Sequence, residues 1–199
     1  RIVCRLLPEG KAEAKEPSTL HFISGGVIQT PEIAVLQAQK EIVHFAERMH
    51  RMFGMVCSLI DEKDKKEFES QYARIEHYET IADNMEIEIA NFLEQVGNEH
   101  LSDETKEKTR VILRQIGELE GIGDACYKMA RTVNHLRENK EDFTAEQYTR
   151  LHDMLRLVNE AVVQMIVVVS GRRKDLSLAD SLSIENDINQ LRDQLRAET

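Results

Sequence analysis

From Thr30 onward the chain repeats apolar residues at alternating steps of three and four, the spacing of one helical face. The first such stripe is Val35, Ala38, Ile42, Phe45, Met49, Met52, Val56 and Leu59, and it predicts a helix from about 31 to 60. Thr30 is placed to cap it, Pro31 suits its first turn, and Glu32 lies near the positive end of its dipole. A second stripe, Ile75, Tyr78, Ala82, Met85, Ile89, Phe92 and Val96, predicts a helix from about 63 to 96. A third, Ile112, Ile116, Leu119, Gly123, Cys126, Ala130 and Val133, predicts one from about 102 to 136. The fourth begins at Thr144, where Gln147 completes a capping box, and carries Tyr148, Leu151, Leu155, Val158, Val162, Met165 and Val169. The fifth, from about 181, carries Ile184, Ile188, Leu191 and Leu195. Long amphipathic helices joined by short loops predict an all-α fold, an antiparallel helical bundle.

The stripes also repeat. A shift of 113 residues carries Val35 onto Tyr148, Val56 onto Val169, and every stripe position between them onto another. A shift of 106 carries Glu79, Ala82, Asp83, Met85 and Ile89 onto Glu185, Ile188, Asn189, Leu191 and Leu195. The two shifts differ by one heptad, which leaves the packing face unchanged. The pattern reads as two copies of a three-helix unit, residues 30–138 and 144–199, the second lacking its last helix. Residues 1–29 precede the bundle. They hold an apolar stretch with two Arg up to Pro8, a charged linker from Glu9 to Ser18, and a short segment from His21 to Gln29 with an extended pattern.

Composition narrows the function. The 199 residues carry a net charge of −10, which opposes broad nucleic-acid binding and contact of the domain body with anionic lipid. Charged residues make up 31% and aromatics only 5%, as suits long solvated helices. Cys4, Cys57 and Cys126 are scattered and odd in number, so a reducing compartment fits better than a disulfide framework. The longest apolar run, Ala161 to Val169, is too short to span a bilayer.

The candidate chemistry is acidic. Glu79 and Asp83 form a Glu-x-x-x-Asp step on the second predicted helix, and Glu120 and Asp124 form another on the third. Each step sets two carboxylates on one face, on adjacent turns. Counting outward from the short loop brings Glu79 level with Glu120 and Glu76 level with Asp124. Carboxylates so gathered are either a cation site or a well-solvated acidic face. All-oxygen ligation would suit Mg, Ca, Mn or iron better than a structural zinc. Gly117, Gly121 and Gly123 are unusual inside a helix and leave room for a close neighbour or a ligand. Glu41-x-x-His44 and Glu47-x-x-His50 both sit on the first helix, whereas a ferritin-like di-iron site needs one such motif on each of two helices. No nucleophile motif, P-loop or dinucleotide fingerprint is present.

These residues carry a resemblance. The run Leu119-Glu120-Gly121-Ile122-Gly123-Asp124-Ala125-Cys126 resembles the third-helix signature of the PhoU family, Leu-Glu-Arg-Ile-Gly-Asp-His-Ala. Glu79 to Asp83 resembles that family's paired acidic motif on its second helix. The segment from Thr30 to Ile42 is similar to the start of the PhoU-like domain at the C-terminal end of bacterial sodium-dependent phosphate cotransporters. Arg1 to Pro8 resembles the stretch after their last membrane helix. Gly121 stands where Arg is usual, Ala125-Cys126 replaces His-Ala, and Asn189 replaces Asp in the second copy.

The resemblance implies a PhoU-type bundle, not an enzyme, on the cytoplasmic face of the membrane. Its partner would be a membrane transport domain of the same chain, its link to phosphate indirect, and its assembly possible as a homodimer. It implies a divalent or iron-type metal held by Glu79, Asp83, Glu120 and Asp124. The alternatives are a free-standing PhoU-type regulator of phosphate uptake and a carboxylate-bound di-iron protein.

Overall fold

A computed structural model describes residues 20–23, 30–97, 101–171 and 178–197. These form five α-helices and no strand: α1 (Pro31–Asp61), α2 (Lys65–Gly97), α3 (Asp103–Glu138), α4 (Ala145–Val169) and α5 (Leu178–Ala197). The ends fall within three residues of those read from the periodicity. Local chemistry sets them. Thr30 accepts from the Ile33 N–H, Ser102 from the Thr105 N–H, and Asp64 from the Glu67 N–H, each satisfying a helix N-terminus. The expected box at α4 is complete: the Thr144 hydroxyl accepts from the Gln147 N–H, and the Gln147 side chain accepts from the Thr144 N–H. Gly171, with φ of 63°, turns the chain left-handed just past α4, a conformation other residues adopt at a cost.

α1, α2 and α3 pack on one another around the main core, and α4 packs on α1 and α5. All eight expected stripe positions of α1 are buried. So are Ala34, Ala46, Phe53 and Ile60 on its other sides, because α1 alone touches α2, α3 and α4. On α2 the stripe drifts at its C-terminal end, where Leu93 is buried and Phe92 is half-buried. On α3, Val133 is half-buried rather than buried. α4 buries only Leu155, Leu157 and Val162, and the α5 stripe of Ile184, Ile188, Leu191 and Leu195 is half-buried throughout. The burial that stabilises this fold therefore lies in its first three helices.

α4 runs antiparallel to α1 and is joined to it by polar contacts. The His50 ring lies 3.0 Å from Asn159 Oδ1. At the end of α1, Asp61 Oδ1 receives the Tyr148 hydroxyl and lies 3.0 Å from His152 Nε2. The turn between α1 and α2 is held from α3, where Arg137 donates to the carbonyls of Glu62 at 2.9 Å and Lys63 at 3.0 Å and stacks 4.3 Å over Phe68.

The extended pattern read over residues 21–29 does not form a strand where it is described: His21 and Phe22 bend. Residues 24–29 and the linker before Leu20 lie outside the described residues. Leu20 and Ile23 pack against the core beside α1.

Candidate functional site

The acidic residues meet along the line where α2 packs on α3. α2 contributes Glu76, Glu79, Asp83 and Glu86, and α3 contributes Glu120 and Asp124. All are half-buried or exposed. The close approach of the two helices is made by Gly123. A Cβ there would stand 3.2 Å from Ala82 Cβ and 3.0 Å from Met49 Sδ. Gly117 lies under Glu86, whose Oε1 would be 3.8 Å from an added Cβ, and Gly121 faces open space.

This packing corrects the expected register by about one to two turns. Counting from the loop puts Gly117 level with Ala82, but Gly123 meets it, and Glu76 meets Tyr127, whose hydroxyl donates to Glu76 Oε1 at 3.0 Å. Counting from the loop assumes that both helices leave it flush. The contact of the two smallest side chains in the line sets the register instead. The four residues singled out from sequence still share one edge, with changed neighbours. Glu79 now feels Asp83, Asp124 and Glu76, while Glu120 feels Glu86, Asp124 and Asp83.

The electrostatics follow. Partial burial raises the Glu79 carboxyl above its ordinary value, and the three neighbouring carboxylates raise it further. Glu120 is raised in the same way, by burial and then by Glu86, Asp124 and Asp83, with Lys128 pulling in the opposite direction. Lys128 itself pairs with Asp124 at 2.5 Å. The Tyr127 hydroxyl, donating to Glu76, is pushed up to about 12, first by that bond and then by burial. Across the line the charge is one that a cation would relieve. The spacing is another matter: among the described residues, no three His, Cys, Asp or Glu side chains stand together as a group that holds a metal ion.

The sequence pattern did not disclose a second polar centre, at Glu41. Its side chain is wholly buried on α1. Its carboxylate accepts from the Phe22 N–H at 2.8 Å and from the His21 N–H at 3.1 Å and 3.2 Å. Burial opposes its charge. The adjacent His44 ring and the N–H groups of Phe22 and His21 outweigh that and hold the carboxyl below its usual range. The sequence signals were the Glu41-x-x-His44 step, weighed above only as a di-iron pattern, and its position next to Ile42, inside the apolar arc of α1. Of the histidines, His44 is half-buried beside Glu41, His50 bonds to Asn159, and His77 is exposed. Cys126 is buried in the α3 stripe as expected, and its thiol is pushed up to about 12 by burial.

No helix among the described residues is long and apolar enough to cross a membrane. Neither protein-family models nor curated proteins nor solved structures give a match to this chain. What the fold defines is the class, an all-α bundle with an acidic edge.

Proposed function

We propose that this chain is a PhoU-type regulatory bundle carried by a sodium-dependent phosphate cotransporter, acting on the cytoplasmic side and catalysing no reaction. The observation that carries the reading is the meeting of two Glu-x-x-x-Asp steps, Glu79 with Asp83 and Glu120 with Asp124, along one helix–helix line. Each of Glu79 and Glu120 is close enough to carboxylates of both helices for its proton affinity to rise. The resemblance of those two segments and of residues 30–42 to PhoU-like domains adds the link to phosphate. The pairing of α4 with α5 beside α1 is compatible with a second copy of the unit built by α1 and α2, without a counterpart of α3.

In this reading the bundle couples cation or phosphate status to a membrane transport domain by packing against it. An acidic edge repels phosphate, so phosphate would be sensed through the cation it accompanies. The oxygen donors of Glu79, Asp83, Glu120 and Asp124 suit a hard divalent ion or iron. Holding one would require the carboxylates to turn closer together than they stand here.

The reading frame upstream of Arg1 tests the assignment. Several long apolar segments ending near Arg1 are the expected result, and a start codon within a few dozen residues without them would make the bundle a free-standing regulator. Metal analysis tests the edge. Replacing Glu79, Asp83, Glu120 and Asp124 together by Ala should abolish binding of Mn or Fe while circular dichroism keeps its helical signal. Unchanged metal content would remove these residues from the site.

A further inference from the structure

A wholly buried carboxylate is expensive unless its oxygens are satisfied, and Glu41 is satisfied largely from outside its own helix. Its hydrogen bonds come from two consecutive backbone N–H groups, those of His21 and Phe22. Around it the chain before α1 lies against the bundle. Leu20 and Ile23 pack on the core, the His21 ring meets the His44 ring edge-on at 4.4 Å, and Lys40 Nζ stands 5.9 Å from the centre of the Phe22 ring. The backbone of residues 20–23 belongs to no helix or strand, so these bonds to one side chain replace the ladder that regular structure would supply.

We propose that residues 20–23 are a detachable strap and that Glu41 is its latch. Glu41 lies eleven residues beyond Thr30, which is about 16 Å along the helix axis at 1.5 Å per residue. With the strap docked, the chain lies against the bundle at that level of α1 from Leu20 to Ile23. With it released, the first described residue joined to the bundle is Thr30, one helix end away. The latch changes where whatever precedes the bundle is attached, without unpacking a helix.

Two features make the latch reversible rather than one more core contact. First, a carboxylate and backbone N–H groups each have water as an alternative partner when they part. An apolar core residue has no such alternative. Second, His44 Nδ1 is buried without a hydrogen-bond partner among the described residues and lies 3.7 Å from Glu41 Oε1. A small rotation of Glu41 would bring the two within bonding distance, so the released carboxylate has a partner waiting on its own helix, one turn away. The device depends on this geometry alone and holds whichever partner the bundle serves.

Amide hydrogen exchange on the full chain tests it. In the wild type, the His21 and Phe22 amides should exchange through a local opening whose rate is insensitive to low denaturant. The α1 amides of Phe45 and Met49 should exchange only on larger unfolding. In Glu41→Gln, which loses the charge from these bonds but keeps the shape, His21 and Phe22 should exchange roughly tenfold to a hundredfold faster, with Phe45 and Met49 unchanged. Strap amides that exchange only with the whole bundle in the wild type would overturn the proposal. So would equal acceleration of strap and α1 amides in Glu41→Gln, which would make Glu41 a core residue and not a latch. Unchanged strap exchange in that variant would also overturn it.

Discussion

Gly123 of α3 rests directly on Ala82 of α2: a Cβ at Gly123 would lie 3.2 Å from the Ala82 methyl, inside ordinary van der Waals contact. This pair brings the helices together, sets their register, and so decides which carboxylates face each other beside it. Ala82 Cβ is fixed to its backbone and cannot move aside, whereas Met49 Sδ, 3.0 Å away, can. Gly123→Ala should therefore force α2 and α3 apart. The overpacking strain, about 1–3 kcal/mol, should exceed the roughly 1 kcal/mol that Ala gains over Gly in helix propensity. Gly121, two residues away with open space around it, should behave in the opposite way. Gly121→Ala should stabilise the protein by about 0.5–1 kcal/mol. Urea denaturation of the two variants gives the comparison, and a stabilised Gly123→Ala would show that the contact does not set the helix spacing.

The acidic edge has a definite pH signature. Glu79 and Glu120 are both raised above the usual 4.5 in the folded protein, by burial first and by neighbouring carboxylates second. A carboxyl with a raised folded value favours the folded state once protonated. That stabilisation is complete below the unfolded value and is lost as pH rises through the folded one. The edge is thus at its most repulsive at neutral pH, and salt should relieve part of it. Asp124 acts on both residues, so Asp124→Asn should bring both midpoints down toward 4.5. Carboxyl carbon NMR titration measures this, and midpoints at or below 4.5 in the wild type would rule out the crowding.

Cys126 should be chemically silent. Its thiol is buried and pushed up to about 12, so at pH 8 the reactive thiolate is on the order of one part in ten thousand. Labelling by iodoacetamide should proceed only through unfolding and should accelerate sharply near the urea midpoint. Rapid labelling of Cys126 in buffer would mean that α3 opens locally along its core face.

How far the chain could be read in advance differs between its levels. The stripes gave helix number, order and ends, because burial of one face per helix is a local periodic property and the caps at Thr30, Ser102 and Thr144 are local as well. The grouping of Glu79, Asp83, Glu120 and Asp124 on one edge was also legible, since each pair is one helical step. Their exact neighbours were not. Axial register between helices depends on which side chains interlock, and the contact of Gly123 with Ala82 displaced it by more than a turn. The long-range partners of Glu41 and Asp61 were missed for a related reason. Each is satisfied by residues far along the chain, His21 and Phe22 in one case and Tyr148 and His152 in the other, and periodicity carries no information about such partners.

Arg137 should prove a fixture of the turn between α1 and α2 that Lys cannot replace. Its guanidinium reaches two carbonyls at once, Glu62 and Lys63, while covering the face of Phe68. A planar fork meets that geometry, whereas an ammonium on a flexible stem does not. Arg137→Ala should cost about 2 kcal/mol, from the lost charge-assisted bonds and the lost stacking together. Arg137→Lys should recover less than half of it. Thermal denaturation of the pair decides, and full recovery by Lys would mean that charge alone holds the turn.

The last expectation concerns the unequal halves of the fold. α1, α2 and α3 share a continuous core, whereas α4 buries three side chains and α5 none among its described ones. α4 is tied to α1 by the pair of His50 and Asn159 and by the meeting of Tyr148 and His152 at Asp61, contacts that water can replace when the helices part. Local stability follows buried apolar contact, so α4 and α5 should open together at a lower free energy than the rest. Native-state hydrogen exchange should place amides of α5 lowest and those of α1 at the global limit. Asp61→Asn should widen the gap, because the neutral amide is a weaker acceptor for Tyr148 and His152 than the carboxylate. A single opening free energy across all five helices would instead mean that the polar contacts weld α4 to α1 as firmly as the core joins the other three.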